Sequence, residues 1–143
     1  MGRRVQMDIK LLEYKEVSAC IERILNEDLT EKVGVSSRNI KQLAFALMDQ
    51  DVMLGGITGT LESQGFHIQG LGIEKQLRGK NYGTELMKKI EEAAIKEGAK
   101  QLTVSTQDYQ AVGFYEKRGY SVFAKLENWP FEGTTKYYMH KKV

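Results

Sequence analysis

The feature that most constrains the fold is an unbroken run of strand, glycine-containing turn and long amphipathic helix in the middle of the chain. Residues 66–73 are predicted to form the strand, and the turn follows as Arg78-Gly79-Lys80-Asn81-Tyr82-Gly83. The helix then places apolar residues on one face, at Leu86, Ile90, Ala93 and Ala94. Gly98 suits the end of this helix, and residues 101–106 are predicted to form another strand. Two strands joined through a helix pair in parallel with a right-handed crossover, so this stretch predicts an α/β fold.

The remaining segments predict shorter elements on either side of this unit. Residues 5–12 are expected to form a first strand, residues 16–26 a helix, and residues 28–33 a short second helix. The later predicted elements are strands at 40–48, 52–61, 120–126 and 135–142 and a short helix at 111–118. The order βααβββαβαββ predicts a single domain, residues 1–143. Its central sheet is expected to be mixed and mostly antiparallel, with helices on both faces.

The composition limits the possible partners. The 143 residues carry a net charge of +2 with both signs mixed along the chain, whereas a nucleic-acid surface needs Lys and Arg clustered on one face. No apolar run is long enough to span a membrane, and the N-terminus lacks an apolar signal core. We therefore expect a cytoplasmic monomer or homodimer that binds neither nucleic acid nor a membrane.

The turn at the helix start has the chemistry of an anion site. The first four N–H groups of a helix have no internal partners, and the helix dipole places its positive end there. Gly79 and Gly83 allow a ligand to approach the backbone, and Asn81 tolerates a left-handed conformation. Arg78 and Lys80 add positive charge. The segment therefore predicts a phosphate cradle, with a simple glycine-tolerant turn as the structural alternative.

Two common phosphate-binding motifs do not fit this turn. A P-loop places Gly-Lys before Ser or Thr at the helix start, whereas here Gly83 directly precedes Thr84 with no lysine between them. A dinucleotide fingerprint requires G-x-G-x-x-G, and Gly70-Leu71-Gly72 is followed by Lys75 in place of the third glycine. A nucleotide-binding protein is therefore the least favoured class.

Two motifs together resemble the GNAT superfamily of N-acetyltransferases. The turn is similar to its acyl-CoA signature [QR]-x-x-G-x-[GA], in which Asn81 here replaces the first glycine. Residues 111–120, with the sequence AVGFYEKRGY, are similar to its A-x-x-F-Y-x-x-x-G-[FY] segment. The two motifs have the expected order and separation, and the resemblance covers nearly the whole chain. Asp108 is a second departure, since many members carry an asparagine at that position.

The resemblance implies that acetyl-CoA is the co-substrate and that no metal is needed. In this superfamily two neighbouring parallel strands splay apart, and the acyl-CoA lies in the gap. Backbone groups at Leu71, Gly72 and Ile73 would bind the pantetheine arm like an added strand, and Gly70 and Gly72 would favour a bulge there. The other expected cofactor-binding residues surround the diphosphate and are Arg78, Gly79, Lys80, Asn81, Tyr82, Gly83 and Thr84.

The resemblance also implies two catalytic residues. Tyr115 occupies the family position that places a phenol beside the CoA sulfur, where it would protonate the leaving thiolate. The acceptor ammonium must lose a proton before it attacks, and His67 is the expected general base. Glu62, Gln69 acting through water and Glu127 are alternative bases, and the amine could also arrive already neutral. The structural alternatives are a core aromatic for Tyr115 and a packed strand residue for His67.

The expected function is an acetyl-CoA-dependent N-acetyltransferase. A primary amine, on a small molecule or on a protein, would attack the thioester directly. The alternative from another class is a catalytically inactive acyl-CoA-binding sensor or interaction module. The presence of Tyr115 favours the enzyme.

Overall fold

The computed structural model describes residues 6–35 and 39–143. By its internal contacts the chain divides into two compact units, Met1–Arg38 and Asn39–Val143. In the described residues, the first unit contains one helix, and the second contains a six-stranded sheet and two further α-helices.

The helix of the first unit, α1, spans Tyr14–Val33. It ends at Gly34, whose left-handed backbone (φ 80°) lets its N–H donate to the Thr30 carbonyl at 3.1 Å. The prediction of two helices at 16–26 and 28–33 is therefore wrong, because no glycine or proline interrupts the chain between them. Within the described part of the chain, no helix is both long enough and apolar enough to cross a membrane.

The predicted first strand at residues 5–12 is also wrong over its described part. Residues 6–12 form neither helix nor strand, and Val5 lies outside the described residues. Apolar and polar residues alternate in this segment, which meets the side-chain requirement of a strand. A strand also needs a neighbouring strand for its backbone groups, and alternation cannot reveal whether one is present.

The second unit has a mixed sheet with one parallel pair. Its elements are β1 (Ile40–Asp49), β2 (Val52–Glu62), β3 (Gly65–Ile73), α2 (Tyr82–Lys96), β4 (Gln101–Gln107), α3 (Val112–Lys117), β5 (Ser121–Glu127) and β6 (Thr135–Lys142). The strand order is β1-β2-β3-β4-β6-β5, in which β3 and β4 are parallel and all other neighbours are antiparallel. The fold class is therefore the predicted one, a mixed and mostly antiparallel sheet with helices.

One face of the sheet forms the hydrophobic core together with α2. The strands contribute buried side chains that include Ile57, Leu61, Phe66, Ile68, Leu102 and Val104. The helix contributes Leu86, Met87, Ile90 and Ala94, which recur at the spacing of one helix face. Because side chains alternate along a strand, the residues between the buried ones lie on the opposite face of the sheet.

The parallel pair of β3 and β4 is incomplete. Pairing stops at Ile68 and Val104, although β3 continues to Ile73 and β4 to Gln107. The register between β2 and β3 shifts by one residue at Gln69, which is the predicted bulge beside the glycines. Beyond Ile68 and Val104, β3 and β4 are no longer hydrogen-bonded to each other. The gap that the family resemblance implied lies between them.

The absence of a side chain at Gly59 is required by the packing of Phe66. A Cβ atom at Gly59 would lie 2.3 Å from Cζ of Phe66, whereas nothing lies within 4 Å of the same position at Gly113 in α3. We expect Gly59→Ala to lower the free energy of unfolding by about 1–3 kcal/mol through overpacking. Gly113→Ala should raise it by about 0.5–1 kcal/mol, because alanine is the better helix former. Urea denaturation measures both, and a Gly59→Ala variant as stable as the wild type would contradict this account of Gly59.

Candidate active site

The predicted cradle forms the N-terminus of α2. Asn81, directly before the helix, has a left-handed backbone with φ 69°, as its tolerance of that conformation predicted. Its carbonyl accepts a hydrogen bond from Glu85 N–H at 3.1 Å, but its side chain makes no capping hydrogen bond. The amides of the first helical turn are therefore available to a ligand.

The two glycines of the cradle have different structural roles. Gly79 also has a left-handed backbone (φ 79°), and nothing lies within 4 Å of the place that a Cβ atom would occupy. At Gly83 the same atom would lie 3.3 Å from the ring of Phe114. Gly79 therefore leaves open space beside the backbone, whereas Gly83 allows the first turn of α2 to pack directly on α3.

A cavity of about 370 Å³ lies against this turn. Its walls come from the end of β3, from the cradle, from Phe114 of α3 and from Arg118, which directly follows α3. Eight of the ten predicted cofactor-binding residues line it: Leu71, Ile73, Arg78, Gly79, Asn81, Tyr82, Gly83 and Thr84. Gly72 instead lines a groove on β2 and β3, and Lys80 is exposed and lines none of the described cavities.

A second, more enclosed cavity of about 200 Å³ occupies the gap between the diverging strands. Gln69, Gly70 and Leu71 line it from β3, and Ser105 and Thr106 from β4, with Gln110, Ala111 and Tyr115 closing the end. Leu71 and Ala111 also line the first cavity. The two cavities therefore adjoin, and together they run from the helix N-terminus to the gap in the sheet.

Tyr115 lies at the inner end of this path. Its side chain is buried and makes edge-to-face contacts with Phe114 and Tyr120, with ring centroids 5.2 and 5.8 Å away. Burial raises the pKa of the Tyr115 hydroxyl, so it stays protonated at neutral pH. Among the described residues no protein group forms a hydrogen bond with this hydroxyl, whereas the Tyr120 hydroxyl donates to Glu91 at 2.8 Å.

His67 lies on the other side of the sheet. Its neighbours Phe66 and Ile68 are buried on the α2 face, so its own side chain points away from α2. Nδ1 of His67 is 2.8 Å from the Thr103 hydroxyl. Burial and, to a smaller extent, the charge of Lys136 lower the pKa of His67, which favours the neutral imidazole. The structure does not bring His67 into either cavity, although the next residue, Ile68, lines the smaller one.

The alternative bases differ in their positions. Gln69 lines the smaller cavity at the bulge, whereas Glu62 and Glu127 end strands β2 and β5. Asp108, the second departure from the family motif, accepts a hydrogen bond from Thr135 N–H at 3.2 Å. Its carboxylate therefore holds the start of β6.

Arg118 at the end of α3 is a cavity residue that the sequence analysis missed. Its Nη1 donates to the Phe114 carbonyl at 2.9 Å, and its Nη2 donates to the Thr84 hydroxyl. The guanidinium carbon lies 3.9 Å from the centroid of the Phe114 ring. The one sequence signal was a cation beside the helix-ending Gly119, which is equally typical of an ordinary helix C-terminus.

Comparison with known proteins identifies the family. The model of the acetyltransferase (GNAT) domain matches residues 10–142. This chain belongs to the GNAT acetyltransferase family. The blasticidin-S acetyltransferase of Streptomyces morookaense is 30% identical to it over 100 residues, which span 69% of this chain and 73% of that protein. The predicted family and the predicted enzyme class, an acetyltransferase, are thereby confirmed.

Solved structures share the fold. An acetyltransferase from Bacillus cereus ATCC 14579 superposes with a TM-score of 0.85 at 21% identity, covering 96% of this chain and 98% of that one. An aminoglycoside 6'-N-acetyltransferase complexed with coenzyme A gives a TM-score of 0.63 at 20% identity, covering 90% of this chain and 89% of that one. Identities at this level support the common architecture.

The left-handed backbone at Asn81 leads to a test with two substitutions. Asn81→Gly should leave the free energy of unfolding unchanged or slightly raised, because glycine adopts this conformation without strain. Asn81→Val should lower it by about 1–2 kcal/mol, because a β-branched side chain is disfavoured there. Urea denaturation of both variants measures the difference. A valine variant as stable as the glycine variant would contradict the cradle geometry.

Proposed function

We propose that this acetyltransferase takes acetyl-CoA as its donor and transfers the acetyl group directly to a primary amine. The observation that carries the proposal is the path formed by the two adjoining cavities. It runs from open helix amides, suited to a diphosphate, to the hydroxyl of Tyr115, suited to a sulfur leaving group.

The cradle fits the diphosphate of acetyl-CoA. The first-turn amides of α2 would donate to its oxygens, and the open backbone of Gly79 gives a phosphate room to approach. The charge of Arg78 adds to the positive end of the helix. Beyond Ile68 the edge of β3 has no partner in β4, so backbone groups near Leu71 and Ile73 are available to the amide groups of the pantetheine arm.

Two residues on opposite faces of the sheet would handle the protons. The acceptor nitrogen forms a bond to the acetyl carbon while the carbon–sulfur bond breaks. His67, whose lowered pKa keeps it neutral, would accept the proton that the amine loses. Tyr115, whose raised pKa keeps it protonated, would donate its proton to the departing sulfur. The amine would therefore approach from the face that carries His67, and the donor from the face that carries α3.

The names of two related proteins favour a small molecule as the acceptor. One is a blasticidin-S acetyltransferase and the other an aminoglycoside 6'-N-acetyltransferase. We extend this class to the present chain and propose a small-molecule amine. The test measures thiol release from acetyl-CoA with a panel of small amines and of lysine-containing peptides. Binding of acetyl-CoA without release of its thiol in the presence of any amine would instead support the inactive sensor.

Removing the Tyr115 hydroxyl should slow chemistry without weakening donor binding. In Tyr115→Phe the ring contacts with Phe114 and Tyr120 remain, so the fold and the acetyl-CoA affinity should persist. General acid catalysis contributes about 100-fold or more, so single-turnover acetyl transfer should slow by about that factor. The loss should appear in kcat more than in KM. A wild-type single-turnover rate would make Tyr115 a packing residue.

The pH dependence tests His67. As a base it must be neutral, so kcat/KM should rise with pH through a pKa below that of an exposed histidine and then level off. Lys136→Met removes a nearby positive charge, so the acidic limb should move to higher pH. His67→Gln should remove the limb, and Lys89→Met, a charge change on the exposed side of α2, should leave it in place. A limb unchanged in His67→Gln would assign the proton to another base or to none.

A further inference from the structure

Within the described part of the chain, Arg118 is a cation in the cavity wall without a carboxylate partner. Its contacts in the described residues are a carbonyl, a hydroxyl and an aromatic ring, and it forms no ion pair there. Its Nε–H is buried and has no hydrogen-bond acceptor among residues 6–35 and 39–143. A half-buried guanidinium is stabilised by an anion, and an unpaired donor in a cavity wall is a binding group without its ligand.

Two groups of Phe114 hold the Arg118 guanidinium in position. The Phe114 ring lies under its guanidinium, and the Phe114 carbonyl accepts from Nη1. This arrangement holds the charge at the wall of the cavity that the cradle also lines. The planar guanidinium offers further donors beyond those already used, and its geometry suits phosphate oxygens.

The contact with Thr84 has a consequence for the cradle. Because Nη2 of Arg118 donates to the Thr84 oxygen, the Thr84 hydroxyl hydrogen must point elsewhere. Thr84 belongs to the first turn of α2 and lines the same cavity. Arg118 thus turns the Thr84 hydroxyl into a donor beside the open helix amides.

We propose that Arg118 binds and positions the diphosphate of acetyl-CoA, partly through Thr84. This inference rests on the proposed function, because acetyl-CoA supplies the anion. The 3'-phosphate of CoA offers the same chemistry. The diphosphate is favoured because Arg118 and the cradle amides line one cavity.

The test compares Arg118→Met with Lys117→Met, which removes an equal charge from an exposed neighbour outside the cavity. Calorimetry measures the affinity for CoA and for dephospho-CoA, and enzyme assays measure kcat/KM with acetyl-CoA and with S-acetylpantetheine, which lacks the diphosphate. Hydrogen bonds to charged groups are worth about 1.5–3 kcal/mol, so Arg118→Met should weaken CoA and dephospho-CoA binding about 10- to 100-fold. Lys117→Met should change neither, and kcat/KM with S-acetylpantetheine should be the same in all variants.

Thr84 provides a second test that keeps Arg118 intact. Thr84→Val removes the hydroxyl at nearly constant shape and should weaken CoA binding, whereas Thr84→Ser should retain it. In the Arg118→Met background, Thr84→Val should cost less than it does alone, because the two residues act together. Additive losses would overturn the part of the proposal that acts through Thr84.

The outcomes separate this inference from the function on which it rests. If the wild-type protein does not bind CoA, the proposed function fails. If it binds CoA and Arg118→Met binds equally well, the inference alone is overturned. A loss seen with CoA but not with dephospho-CoA would assign Arg118 to the 3'-phosphate. An equal loss of kcat/KM with S-acetylpantetheine would make Arg118 a packing residue.

Discussion

Burial of the apolar face of α2 against the sheet is the interaction on which the candidate site depends. Met87 and Ile90 are completely buried, and truncating a side chain of this kind to alanine typically costs about 2–5 kcal/mol. The helix therefore cannot rotate or slide on the sheet without exposing them. Its N-terminal amides stay at the end of β3, where Gly83 packs so closely that an added Cβ atom would lie 3.3 Å from the Phe114 ring and 3.6 Å from Ile73. A core interaction thus determines where these amides lie, and with them the proposed diphosphate site.

The incomplete pairing of β3 and β4 opens the sheet beside the candidate site. If the two strands stayed paired to their ends, side chains on opposite faces would be separated by a continuous sheet. Because pairing stops at Ile68 and Val104, a cavity opens between the faces at the level of Tyr115. His67 lies one residue before this opening, on the face opposite α2. The proposed donor and acceptor would therefore meet in the gap from opposite sides, each beside its proposed proton-transfer group.

The parts of the molecule that the sequence predicted depend on local patterns. The hairpin of β1 and β2, the long helix α2, the parallel pair and the left-handed Asn81 all follow from periodicity, chain order or residue type. The strand predicted at residues 5–12 failed because a strand needs a partner that its own pattern cannot supply. The position of Arg118 could not be predicted because Thr84, its partner, lies 34 residues away and meets it only after α2 and α3 have packed.

Tyr115 of α3 and Tyr120, which directly precedes β5, are both buried but differ in their contacts. Burial raises the pKa of both Tyr115 and Tyr120. The Tyr120 hydroxyl donates to Glu91 of α2, and Lys141 of β6 forms an ion pair with the same carboxylate at 3.1 Å. These contacts connect the segment that follows α3 to α2 and to strand β6. The edge-to-face contact with Tyr120 then holds the Tyr115 ring in place, so the Tyr115 hydroxyl can face the cavity without needing a protein partner of its own.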